Sequence, residues 1–296
     1  MKFFSILISI LFFGLYGFSQ TEYLSKSANE THLWGIHDVE SLKTEPYIGW
    51  YEKSISEFKT DLSDLEEINL LKNSDVKIYI GTWCGDTKKW VPKFIELWKE
   101  LELPFDKLQL IALHNRQDVY KQGPNREELG DNIHRVPTFT FSVDDKEIGR
   151  IVERPLHSLE RDLAQIDKGI PSRPRYQGVV YLNQYLFSNS SEMFLDDFDN
   201  VYKDIRRNLS GPGELNTYGY VLKAAGELSQ SLFVFQLNKK IYPYDPNCYD
   251  SLGEVYMTLE KWEEAKACFE KVLSLLPNDE RAISKLYEIN NVVADL

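Results

Sequence analysis

The chain has 296 residues, 43% of them hydrophobic and 13% aromatic, which supports two or three packed modules and excludes a peptide hormone or a knottin. The charge balance of 34 − 46 = −12 repels phosphate backbones, so nucleic acid is not an expected partner, and the mean hydropathy of −0.38 excludes a multi-span membrane protein. Three cysteines, at 84, 248 and 268, are too few for a disulfide framework and leave at least one thiol unpaired.

Residues 1–19 begin with Lys2, continue through an uncharged, mainly apolar run from Phe3 to Tyr16, and end in the small residues Gly17 and Ser19. This three-part pattern predicts a secretory signal peptide cleaved after Ser19. The run is shorter than the roughly 20 residues that span a bilayer, so no stable membrane span is expected after cleavage. Export would place the chain across the inner membrane, in the periplasm or outside the cell.

Residues 20–50 are polar and weakly patterned and read as an amino-terminal extension. Ile55, Phe58, Leu62, Leu65, Ile68 and Leu71 recur every three or four residues and predict one or two amphipathic helices over 52–72. Val76–Ile80 reads as a buried strand, followed by the turn Gly81-Thr82-Trp83-Cys84-Gly85 and a helix from Asp86 to Leu101. Strand, tight turn and helix form the front half of a βαβ unit, and Leu108–Leu113 supplies the parallel partner. A long polar loop from Asn115 to Asp131 comes next. Two further strands, Phe139–Val143 and Ile148–Val152, are joined at Asp144-Asp145, and a helix from His157 to Ile166 closes an α/β module spanning 51–169.

Pro171 and Pro174 mark a boundary, and no strand signal recurs beyond them. Helices are expected over Tyr176–Phe187 and Met193–Leu209, within a connector spanning 170–213. A shift of 34 residues then superposes Gly219 on Gly253, Leu228 on Trp262, Ser231 on Ala265, Phe235 on Phe269 and Pro243 on Pro277. The repeats 214–247 and 248–281 resemble the tetratricopeptide repeat (TPR), which implies an all-α domain over 214–296 with Ala282–Val292 as a capping helix and a concave face for a protein partner.

The four positions Cys84-Gly85-Asp86-Thr87 resemble the Cys-x-x-Cys turn of thioredoxin-like proteins, with threonine in place of the second cysteine. Trp83 before the cysteine, Pro92 in the helix and Val136-Pro137-Thr138 before an antiparallel strand extend the resemblance over about 60–168. It implies a central sheet flanked by helices, a cis Val136–Pro137 peptide facing the thiol, and a substrate groove formed by Trp83, Gly85, Asp86, Thr87, Val136, Pro137 and Thr138. Cys84 would be the catalytic residue. A helix amino terminus favours its thiolate, and Asp86 opposes a second negative charge nearby.

Thr87 cannot resolve a mixed disulfide as a second thiol would, though it could donate a hydrogen bond to the thiolate. Ile78 stands where dithiol relatives bury an acid. Three readings of Cys84 follow: a monothiol redox centre resolved by an external thiol, a binding module that grips a peptide beside Pro137 without turnover, or a packed cysteine in a scaffold. Cys248 and Cys268 read as small buried repeat residues rather than a disulfide pair. The five histidines show no metal-ligand spacing. His114, just past the second parallel strand, could approach Cys84, but its loop position fits a solvated histidine better. Asp196, Asp197 and Asp199 read as a solvated helix face, and no cofactor is implied.

Overall fold

The computed structural model describes residues 21–25, 29–56, 58–65, 67–190 and 193–295. The predicted signal peptide lies outside them. An amino-terminal α/β region contains β1 (Thr21–Ser25), β2 (Glu30–His37), α1 (Ile48–Ile55), β3 (Asp75–Ile80), α2 (Gly85–Glu100), β4 (Leu108–Ala112), β5 (Thr138–Val143), β6 (Lys146–Val152) and α3 (Leu159–Asp167). The strands form one mixed sheet in the order β1-β2-β4-β3-β5-β6.

The centre of this sheet follows from the apolar, β-branched run of β3. It pairs in parallel with β4, from Val76↔Leu108 to Ile80↔Ala112, and antiparallel with β5. The β5–β6 turn falls at Asp144 and Asp145, whose φ values of 50° and 59° suit the tight hairpin turn that aspartate tolerates. Because side chains alternate along a strand, Ile78 and Ile80 face the main core with Phe94, Trp98, Phe139 and Phe141. Tyr79 points to the opposite face, into a smaller apolar cluster with Ile111, Leu113, Ile133 and Val136. Trp83 and Cys84 pack on that second cluster.

The described residues among 20–50 are an integral part of the sheet and its core rather than an extension. β1 pairs with β2, β2 pairs antiparallel with β4 from Gly35↔Ala112 to His37↔Leu110, and Leu33, Val39, Leu42 and Tyr47 enter the main core. Among the described residues the helical spacing over 52–72 is realised as the end of α1 and a 3-10 turn at Leu71–Asn73. Beyond Ile55, the apolar residues Phe58, Leu62, Leu65, Ile68 and Leu71 still pack on the core, but from an irregular segment. The Asp61 carboxylate accepts the Ser63 amide, a local turn that competes with helix.

A long-range anchor holds the end of this segment. The buried Asp167 carboxylate, at the end of α3, accepts the Asn69 amide at 3.0 Å and the Leu71 amide at 2.9 Å. Hydrogen bonds to a charged acceptor are the strong ones, and their loss orphans two amides. Asp167→Ala is therefore expected to destabilise the α/β region by about 2–3 kcal/mol in urea unfolding, whereas a loss below half a kcal/mol would contradict the anchor.

The rest of the described chain is helical: α4 (Gln177–Ser188), α5 (Met193–Asp196), α6 (Phe198–Ile205), α7 (Pro212–Ala224), α8 (Leu228–Ile241), α9 (Pro246–Thr258), α10 (Trp262–Leu275) and α11 (Glu280–Asp295). The single helix expected over 193–209 is split at Asp197 into α5 and α6. The 34-residue period is a physical repeat. Both α7 and α9 begin at a proline, whose missing N–H costs nothing in the first turn, and both span 13 residues. In each hairpin a glycine lets the second helix approach. A Cβ on Gly219 would lie 2.6 Å from the Phe235 ring, and one on Gly253 would lie 2.7 Å from the Phe269 ring.

The helices of the predicted connector are part of this stack. Val179, Leu182, Leu186, Phe194, Val201 and Ile205 share one core with Leu215, Leu222 and Phe233 of the first hairpin. This assembly also touches the sheet region through polar contacts. Arg135 donates to Gly213 O at 2.7 Å, Asn183 donates to Asn132 Oδ1 at 2.8 Å, and Tyr176 hydrogen-bonds to Glu153.

Candidate functional site

The candidate site lies where β3 ends and α2 begins. Gly81 permits the tight turn, since a Cβ there would sit 2.5 Å from the Trp83 ring. The Cys84 amide donates to Gly81 O at 2.7 Å, and Cys84 itself is the N-cap of α2 with extended backbone. Its side chain makes no cap hydrogen bond, so the sulfur is left to other partners. Gly85 and Asp86 occupy the first turn of the helix, and Pro92 lies buried inside it.

The turn is held from two sides. Trp83 Nε1 donates to Leu113 O at 3.0 Å, beyond the end of β4. The buried Thr82 hydroxyl accepts the Leu33 amide of β2 at 3.2 Å and lies 3.2 Å from His32 Nδ1. The amino-terminal strands thus buttress the loop that carries Cys84.

The half-buried Cys84 Sγ donates to the carbonyl oxygen of Val136 at 3.2 Å. The Val136–Pro137 peptide is cis. Thr138, the first residue of β5, donates its hydroxyl to Arg135 O at 2.8 Å, while Pro137 O accepts the Glu153 amide at 2.6 Å. The structure therefore brings Trp83, Cys84, Gly85, Val136, Pro137 and Thr138 into one neighbourhood. Burial, reinforced by Glu153, raises the Asp86 carboxyl above the usual carboxylate range. Thr87 is buried, and its hydroxyl accepts the Gly81 amide at 3.3 Å. It braces the turn, and the sulfur hydrogen-bonds to Val136 instead.

Three residues in this neighbourhood carry no periodicity or motif: Tyr120, Lys121 and Arg135. Lys121 is 4% exposed, with Nζ 3.8 Å from the Tyr120 ring centroid, 5.8 Å from that of Trp83 and 2.5 Å from the Tyr120 hydroxyl. Arg135 lies over the Tyr176 ring and pairs with Glu153 at 3.4 Å. Only position in space links them to Cys84, so spacing along the chain could not have found them.

His114 is not solvated. It is 5% exposed, stacked on Tyr23 with centroids 3.6 Å apart, edge-on to Trp34, and its Nδ1 accepts the Arg116 amide. The ring ties β1 and β2 to the loop after β4. Burial, then Arg116, lowers it to about 4, and burial lowers His134 to about 3. Both stay neutral in the folded chain at pH values where the unfolded chain binds protons. Stability therefore rises with pH across that window: it is fully present above about 6.5 and is lost progressively as pH falls toward 4. Thermal unfolding at constant ionic strength checks this, with a lower Tm at pH 5 than at pH 7, a difference diminished in His114→Gln.

Cys248 and Cys268 are free and buried in the helical region. Among the described residues no group of three or more His, Cys, Asp or Glu is arranged to hold a metal ion, and no helix is long and apolar enough to cross a membrane.

The tetratricopeptide repeat family model matches residues 246–279, the α9–α10 hairpin. Two solved structures are similar to part of the chain. The NMR structure of the first TPR domain of the human RPAP3 protein is 20% identical, with 36% of this chain and 90% of that one covered and a TM-score of 0.28. The first TPR of Spaghetti (RPAP3), bound to an HSP90 peptide, is 21% identical, with 40% and 90% covered and a TM-score of 0.29. A search of curated proteins finds no match. Residues 246–279 thus carry a tetratricopeptide repeat, within a carboxy-terminal region that is helical throughout its elements.

Proposed function

We propose that this is an exported thioredoxin-like protein in which the TPR-like helices recruit a protein or peptide and Cys84 exchanges disulfides with it as a monothiol. The observation that carries the reading is the half-buried Sγ at a helix amino terminus, 3.2 Å from Val136 O in the loop before β5. Trp83 packs on the same apolar cluster as the sulfur. Export rests on the residue pattern of 1–19, and a mature chain beginning at Gln20 would be its signature in amino-terminal sequencing.

The chemistry needs no second cysteine in this chain. The Cys84 thiolate attacks one sulfur of a partner disulfide, a new S–S bond forms, and the other partner sulfur leaves as a thiolate. An external low-molecular-weight thiolate then attacks the partner sulfur of the mixed disulfide and returns Cys84 as thiolate. Electrons balance over the cycle, and Cys84 ends as it began.

Thr87 supports a second reading, a non-catalytic grip on a peptide beside Pro137, because its buried hydroxyl braces the turn and no second sulfur is at hand. Release of thiol from a peptide disulfide in the presence of a small external thiol separates the two. Exchange predicts catalysis that falls to the uncatalysed rate in Cys84→Ser. A peptide bound equally by both proteins, with no acceleration by either, would support the grip instead.

A further inference from the structure

The sheet ends at β6, and no strand of the described chain pairs with its outer side. Along an antiparallel pair, residues that bond to the neighbouring strand alternate with residues whose backbone groups turn away from it. The Glu153 amide donates to Pro137 O at 2.6 Å, and the register sets Ile151 opposite Phe139 and Gly149 opposite Phe141. Residues 149, 151 and 153 therefore bond to β5, which turns the backbone of Arg150 and Val152 outward. Ile148 is the extra residue of a bulge, since the register passes from Gly149 to Glu147. The Val152 carbonyl accepts the Arg154 amide at 2.8 Å. No described residue hydrogen-bonds to the Val152 amide, or to the amide and carbonyl of Arg150.

A cavity of about 620 Å³ lies against this edge. Four consecutive residues, Glu147 to Arg150, line it, whereas a cavity over one face of the sheet would meet only alternate ones. Across from them stand Pro171, Pro174 and the α4 residues Val179 and Val180. The chain thus brings its own segment to the edge, but not as a strand. Pro171 packs so closely that a Cβ on Gly149 would sit 3.0 Å from its Cβ, and neither proline has an N–H to give. The charged side chains of the wall are Glu147 and Arg150, and Arg150 Nε donates to Glu147 Oε1 at 2.6 Å. The groove therefore presents no net charge. Val180 is 45% exposed in it, an apolar side chain left in water.

We propose that this groove takes an extended, uncharged peptide segment of a partner protein as an added strand on β6. An open strand edge is a template for another strand: backbone pairing supplies the affinity, and the walls select the side chains. One residue of the segment accepts from the Arg150 amide and donates to the Arg150 carbonyl, and a residue two positions away accepts from the Val152 amide. Apolar side chains of the segment cover Val179 and Val180, where a charged one would lose its hydration without gaining a counter-charge. None of these residues belongs to the Cys84 turn or to the α9–α10 hairpin, so the proposal stands whether or not Cys84 exchanges disulfides.

The probe is the blocked hexapeptide acetyl-Thr-Val-Thr-Val-Thr-Val-amide, added to the full chain up to about 1 mM while backbone amide exchange is followed by NMR. Exchange at Arg150 and Val152 is expected to slow at least about tenfold, with Glu22 of β1, at the opposite edge of the sheet, unchanged. Val180→Asp, which puts a charge in the apolar wall, is expected to weaken binding about tenfold. The exchange measurement uses the natural chain, so it decides the matter even if that variant does not fold. No binding at that concentration, protection at other amides in place of Arg150 and Val152, or equal affinity in a folded Val180→Asp would overturn the proposal. So would slow exchange at Arg150 and Val152 without peptide that quickens on dilution, because a second copy of the chain would then be covering the edge.

Discussion

In the folded protein Cys84→Ser is expected to remove essentially all rapid thiol chemistry, although two of the three cysteines remain. Cys248 is fully buried in α9 and Cys268 nearly so in α10. Burial pushes Cys248 up to about 12 and Cys268 up to about 11, so at pH 8 fewer than about one thiol in a thousand is ionised at either position. Since only the thiolate attacks, both should react at least about a hundredfold more slowly than an ordinary exposed cysteine, before steric exclusion is counted. Ellman's reagent should give one rapid equivalent with the wild type and two more on unfolding, against none and two for Cys84→Ser. A rapid equivalent in the variant would mean that the helical core opens far more readily than its packing implies.

Phe269→Ala is expected to cost the helical region about 3–5 kcal/mol, the range for deleting a large buried aromatic. Phe269 is fully buried in a cluster with Ala265, Val272, Ala282 and Ile289, and its ring fills the space that Gly253 leaves open on α9. Truncation leaves a cavity between two helices whose close approach is set by that ring and that glycine. Trp262 is the only tryptophan beyond Trp98, so its fluorescence reports on this region during urea unfolding. Gly253→Val should also destabilise, through overpacking of about 1–3 kcal/mol. The corresponding changes at Phe235 and Gly219 should behave in the same way, because a shift of 34 residues relates both the helices and the contacts. A cost below about 1 kcal/mol for Phe269→Ala would show that the hairpin does not depend on this interlock.

What was legible in the chain followed from local chemistry. The β-branched run of β3, the glycine turn, the amphipathic α2 and the Asp144-Asp145 hairpin are each written in a few adjacent residues, and the helical repeat is written in glycine, phenylalanine and proline at one offset. What was hidden depended on distant partners. β2 carries His32 and His37 among its buried residues, which mask its alternation; His32 lies against Thr82, fifty positions away, and His37 Nε2 lies 3.2 Å from Thr21 O. The segment after Ile55 has helical spacing, yet Asp167 captures its backbone from almost a hundred residues downstream. Lys121 sits in a polar loop that reads as solvent-exposed, and only the fold buries it beside Trp83. The cysteine was visible as a motif, but the buried lysine packed on Tyr120 and Trp83 was not.

The central claim is that Cys84 forms the disulfide through which a recruited partner is processed. Its most direct test is covalent trapping with the full-length protein in cells, with free thiols blocked at lysis and no reductant, followed by mass-spectrometric mapping of the cross-linked cysteine. The account predicts partner adducts linked through Cys84 that are released by a small thiol and absent from Cys84→Ser. No adduct in the wild type, or adducts that persist unchanged in Cys84→Ser, would contradict it.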